Sequence, residues 1–114
     1  MKLSTAKLSV DILNNFTEII KNNHHGKNTV TYINIFTKVV NYFYVLYEAS
    51  IYQMEGREAI KLLREIEEIL RINIEIIENS LDSDELTKYT SQLRAKRNKI
   101  MSTYIKMLKE AQFG

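Results

Sequence analysis

The chain contains no proline and only three glycines, Gly26, Gly56 and Gly114, in 114 residues. These two residue types interrupt helices more strongly than any others, proline by removing a hydrogen-bond donor and glycine by its backbone freedom. A chain so short of both is biased toward a few long helices joined at the places where polar or glycine residues collect. The order of apolar side chains agrees with that bias. Between Ser4 and Asn22, Leu8, Ile12, Leu13, Phe16, Ile19 and Ile20 recur at a period near 3.6 residues, with Lys7, Asp11, Asn14, Asn15 and Lys21 elsewhere. The run NNHHGKN at 22–28 follows, and Gly26 predicts the break there.

Residues 29–54 carry mixed signals. β-Branched and aromatic residues dominate, and TVTYINI alternates as a strand would. Against this, Asn34, Asn41 and Glu48 recur every seven residues, which aligns them on one helix stripe and would scatter them over both faces of a strand. The spacing predicts a helix that exposes only this thin polar stripe. Such a helix is expected to sit at the centre of its own bundle or against a second subunit. Its tyrosines, Tyr32, Tyr42, Tyr44, Tyr47 and Tyr52, suit contacts that are dry at one end and wet at the other.

Residues 57–79 form the most regular amphipathic segment, with Ala59, Leu62, Leu63, Ile66, Ile69, Leu70, Asn73, Ile76 and Ile77 on one broad face. A reversal near 53–56 would fold the second and third helices together as a hairpin, with a kinked rod in an intertwined dimer as the alternative. The last helix is expected over about 83–111. Asp82 and Glu85 are spaced as a capping box at its start, and Tyr89, Leu93, Ile100, Met101, Tyr104, Met107 and Leu108 make its apolar face.

The length suits one domain spanning 1–114, with helices at about 4–22, 29–54, 57–79 and 83–111. Cysteine is absent, which excludes disulfides and thiolate metal sites. The stretch MKLSTAKLSVDILNN has no unbroken apolar run, so neither a signal peptide nor a membrane anchor is predicted and a cytoplasmic address is expected. Net charge is +2, but it is unevenly spread: residues 1–54, 55–85 and 86–114 carry +2, −6 and +6. The acidic third helix and basic fourth helix are therefore suited to each other or to an outside partner.

Several side chains stand out against this background. Arg97 falls among Leu93, Ile100, Met101 and Tyr104 on the apolar side of the last helix, where an unpaired guanidinium is costly. Its structural reading is an ion pair with the third helix, with Glu65, Glu68 and Glu75 among the candidates, or a cap on backbone carbonyls. Lys88, Arg94, Lys96, Lys99 and Lys106 accompany it as a basic set that could follow a phosphate backbone. The simpler reading is a solvated face. Asn73, within the third helix's apolar stripe, can fix helix register between subunits or bond within its own bundle. His24 and His25 are adjacent in a loop, an arrangement poorly suited to a metal. The paired glutamates of the third helix lack the histidines of a carboxylate-bridged metal centre. No cofactor or metal is expected, and no nucleophile, base and orienting acid occur together.

The spacing Arg97, Asn98, Ser102, Tyr104 is similar to the Arg-Asn-x-x-x-His-x-Tyr motif of HEPN-family toxins, all-helical dimers that cleave RNA. The resemblance implies a cleft between subunits lined by Arg97. Ser102 stands at the histidine position and cannot replace it as an acid or base at neutral pH, so the resemblance implies a degenerate, regulatory relative.

Together these features predict an all-α antiparallel four-helix bundle that dimerises, with Tyr32, Phe36, Tyr42, Phe43, Tyr47 and Asn73 as the candidate dimer interface. The expected function is non-enzymatic: an adaptor, inhibitor or regulator, of the kind carried by viruses and mobile elements, that binds itself and another protein. A nucleic-acid-binding regulator using the basic last helix is the alternative from a different class, and the HEPN-like dimer is a third. No membrane partner is expected.

Overall fold

The segment with the sharpest division between apolar and charged residues forms the centre of the molecule. The structure is a computed structural model and describes residues 3–23, 29–50, 56–80 and 84–113. Four helices account for nearly all of them: α1 (Leu3–Asn23), α2 (Thr29–Ser50), α3 (Gly56–Glu78) and α4 (Thr87–Phe113), with no strand among the described residues. The expected all-α bundle is what the chain forms. The loop glycine Gly26, His24, His25, Tyr52 and Asp82 lie outside the described residues, as do the side chain of Tyr47 and all but Gly56 of the expected reversal at 53–56.

Helix α3 packs most extensively against α4 and also against α1, while α1 packs on α2 and α2 makes a smaller contact with α4. Around the bundle the order is therefore α1, α2, α4, α3. Numbering rises together on α1 and α3: Lys7 and Asp11 share a groove with Glu65 and Glu68, and Thr17 meets Asn73 further along. It runs oppositely on α3 and α4, where Arg94 meets Glu78 and Met101 and Tyr104 meet Arg64 and Glu67. With α1 and α2 packed together through the short link 24–28, successive helices alternate in direction.

This order corrects the expectation of a hairpin between the second and third helices. The two lie diagonally across the bundle and do not pack on each other. The physical reason is that α3's broad apolar stripe has two neighbours to satisfy, α1 and α4, and fills both contacts. The expected centre moves with it, from α2 to α3. On α3 the buried set is Ala59, Leu62, Leu63, Ile66, Ile69, Leu70, Asn73, Ile74 and Ile77, differing from the sequence reading only in Ile74 replacing the half-buried Ile76.

The core joins these residues to Val10, Leu13 and Ile20 of α1, Ile33, Phe36 and Val40 of α2, and Leu86, Tyr89, Leu93 and Ile100 around α4. Each fully buried aliphatic or aromatic side chain contributes about 1.5–3 kcal/mol relative to exposure. Buried threonines are satisfied locally: Thr17 and Thr37 donate to the carbonyls of Leu13 and Ile33 at 2.9 and 2.8 Å. Helix α1 is rotated from its expected face. It buries Ser9, Val10 and Thr17 and leaves Leu8 58% and Ile19 39% exposed.

The termini around the α3–α4 link are stabilised by polar side chains. Asn79 Nδ2 donates to the Glu75 carbonyl at 2.9 Å and Ser80 Oγ to that of Ile77 at 2.7 Å, each adding a second donor to a carbonyl that the same residue's backbone N–H also reaches. Helix α4 begins later than expected, at Thr87, because Asp84 to Leu86 form a turn that buries Leu86 completely. Thr87 Oγ1 closes that turn on the Asp84 carbonyl at 2.9 Å.

Candidate functional site

Four basic residues of α4, Lys88, Arg94, Lys96 and Arg97, are engaged within the chain. Arg97 Nε donates to Glu67 Oε1 at 2.8 Å, with the glutamate side chain only 14% exposed. The partner is thus on α3, as the structural reading required, but it is Glu67 rather than Glu65, Glu68 or Glu75. Arg94 pairs with Glu78 at the surface. Lys96 reaches from α4 to α2, its Nζ 5.0 Å from the Tyr44 ring centroid, and Lys88 lies 5.0 Å from the ring of Tyr89, both within cation–π range. Lys99 and Lys106 are exposed. The acidic and basic helices therefore answer each other across the α3–α4 contact.

The HEPN-like resemblance placed Arg97 in a cleft between two subunits, whereas its Nε is bonded within the chain, to Glu67. A cleft of about 180 Å³ lined by Arg64, Glu67, Met101 and Tyr104 adjoins the pair. Ser102 is exposed and does not line it. Among the described residues no group of three or more His, Asp or Glu side chains is placed to hold a metal ion.

The residues expected at a dimer interface separate into two kinds. Phe36 and Asn73 have no exposed surface. Phe36 packs on Phe16 with ring centroids 6.4 Å apart. Asn73 Nδ2 donates to Thr17 Oγ1 and to the Ile69 carbonyl, both at 2.8 Å, while its Oδ1 has no partner. Both side chains are covered within the single chain, and Asn73 bonds inside its own bundle. The remaining residues are at the surface. Tyr42 is 64% exposed and stands edge-on to the half-buried Phe43, with centroids 5.6 Å apart, and Tyr32 is half-buried.

The outward face of α2 differs from the thin polar stripe that the spacing suggests. Asn34 and Asn41 are half-buried, and Asn41 Oδ1 is buried without a partner. What faces out is Val30, Ile35, Tyr42 and Val45, the last 66% exposed, with Lys38 between them. Orienting Ile33, Phe36 and Val40 toward the core rotates the asparagines to the flank. At that flank burial pushes the Tyr44 hydroxyl above its ordinary pKa of 10.0, and the neighbouring Glu48 reinforces the shift.

A second surface was not legible in sequence. An open groove of about 630 Å³ runs between α1 and α3, with Val10, Ile69 and Ile72 on its floor and Lys7, Asp11, Asn14, Glu65 and Glu68 around it. Arg71 approaches Glu68 at 3.8 Å and Glu75 at 3.3 Å on the outer side. The periodicity of each helix marks these charged residues as a solvated face. Only the parallel packing of two segments more than fifty residues apart turns them into one concave surface.

No helix among the described residues is long and apolar enough to cross a membrane. No curated protein and no solved structure gives a significant match to the chain. A family model described as Borrelia hemolysin accessory protein matches residues 2–113. That match takes in all four helices, the groove and both surfaces of the bundle, and the chain belongs to this family, BLYB, the Borrelia hemolysin accessory proteins.

Proposed function

We propose that the protein is a non-enzymatic accessory factor that acts by binding another polypeptide, and that its partner is a hemolysin, the activity named in its family's description. The observation that carries this reading is the α1–α3 groove, which combines an apolar floor with three carboxylates, Asp11, Glu65 and Glu68, against one lysine. A polypeptide that lyses membranes must present apolar surface, and cationic groups favour its approach to anionic lipid. Such a segment, laid in the groove as an amphipathic helix, would shield its apolar face on Val10, Ile69 and Ile72 and neutralise the acidic rim. The groove offers binding without chemistry, consistent with an accessory role.

The test is erythrocyte lysis by the partner hemolysin, with and without this chain, combined with direct titration of binding. The wild-type chain should bind and alter the lysis curve, more strongly at low salt. Replacing Asp11 and Glu65 with lysine should weaken binding on the order of tenfold or more while leaving the helical fold intact. Unchanged affinity in that variant would remove the groove as the binding site. No binding by the wild type would overturn the proposed partner.

A further inference from the structure

We infer that the outer face of α2 is a self-association surface, joining two copies of this chain through an antiparallel α2–α2 contact centred near Phe43. Val30, Ile35, Tyr42 and Val45 form a stripe about 22 Å long at 1.5 Å per residue. It is continuous with the half-buried Phe43 and lies on the least embedded helix of the bundle. Tyr42 and Val45, 64% and 66% exposed and about one turn apart, are exposed apolar side chains grouped on one face, as at interaction sites.

The charges select the occupant and its orientation. Lys38 is exposed in the middle of the stripe with no ionic partner among the described residues, and Glu48 is exposed at its edge. Both are five residues from Phe43, on opposite sides. In an antiparallel two-fold pairing about that level, each Lys38 faces the Glu48 of the other copy and each Tyr42 packs near the other copy's Val45, while Val30 and Ile35 extend the apolar edge beyond the overlap of the two α2 helices. A parallel pairing would set Lys38 against Lys38 and Glu48 against Glu48, which is unfavourable. The antiparallel contact is isologous and closes at two copies. It leaves α3, at the opposite corner of the bundle, and the α1–α3 groove uncovered, so it stands independently of the proposed partner.

Light scattering during size exclusion, at low and high protein concentration, tests this directly. The wild type should be a dimer whose dissociation constant rises on the order of tenfold or more in Lys38→Glu, and which becomes monomeric in Val45→Asp. Because Lys38 and Val45 are exposed, circular dichroism should show full helicity in both. The reciprocal variant Lys38→Glu with Glu48→Lys should restore the dimer. A wild type that stays monomeric at high concentration would overturn the inference. So would a dimer indifferent to both single substitutions, or one that the reciprocal exchange fails to restore.

Discussion

Helices α2 and α3 are of nearly equal length but divide their apolar residues in different ways. In α3, nine residues on one side are buried, and the other side carries Arg57, Lys61, Arg64, Glu68, Glu75 and Glu78 at exposed or half-buried positions. In α2 the apolar residues surround the helix, so whichever side faces the core, another apolar side remains outside. The more apolar helix is consequently the peripheral one. Segregation of apolar from charged residues, rather than their total, determines which helix can serve two neighbours at once.

The largest test of this comparison asks whether α2's inner face is as firmly docked as α3's. Phe36→Ala should lower the unfolding free energy by about 3–5 kcal/mol, and Leu70→Ala on α3 by about 2–5 kcal/mol, read from urea denaturation of each variant. A Phe36→Ala cost below about 1 kcal/mol would show α2 to be loosely attached and would break the comparison.

The α3–α4 contact can be examined through its ion pair. Arg97→Met should cost on the order of 1–3 kcal/mol, because Glu67 is left without its charged hydrogen-bond partner at a largely covered position. Adding Glu67→Leu should recover part of the loss, since two apolar groups then replace a pair rather than stranding one charge. If the double variant is no more stable than the single one in a thermal melt, the pair is not the source of the cost.

A smaller effect is expected at Asn73. Its two donated bonds stabilise the α1–α3 contact, while its unpartnered Oδ1 works against burial. Asn73→Leu should therefore change stability by no more than about 1 kcal/mol in either direction, whereas the isosteric Asn73→Asp, which loses the donors, should be clearly destabilising. Equal effects of the two changes in denaturant titrations would contradict the hydrogen-bond assignment.

The smallest expected effect lies at the flank of α2. Tyr44 keeps its proton more tightly in the folded chain than its ordinary pKa of 10.0 implies. The stabilisation is therefore complete below that pH and is lost as pH rises through the raised value. Tyr44→Phe should retain the ring beneath Lys96 and make the fall in stability above pH 10.0 shallower. Parallel alkaline melts of the two proteins, with the same slope in both, would show that Tyr44 is not the titrating group.

The sequence by itself determined the secondary structure and most of the α3 core, because the absence of proline, the scarcity of glycine and a 3.6-residue period are properties of single segments. It also marked Arg97 as a side chain that needed a partner, with the acidic third helix as one candidate source, since burying a guanidinium alone is costly. Which glutamate meets it depends on how α3 and α4 cross, and that belongs to no segment. The same holds for the exposed side of α2, where several rotations would bury comparable apolar area and the asparagine spacing pointed to one that the core did not adopt. The diagonal placement of α2 and α3, and the groove that parallel α1 and α3 form, were decided only by tertiary packing, which joins residues whose local patterns carry no mark of one another.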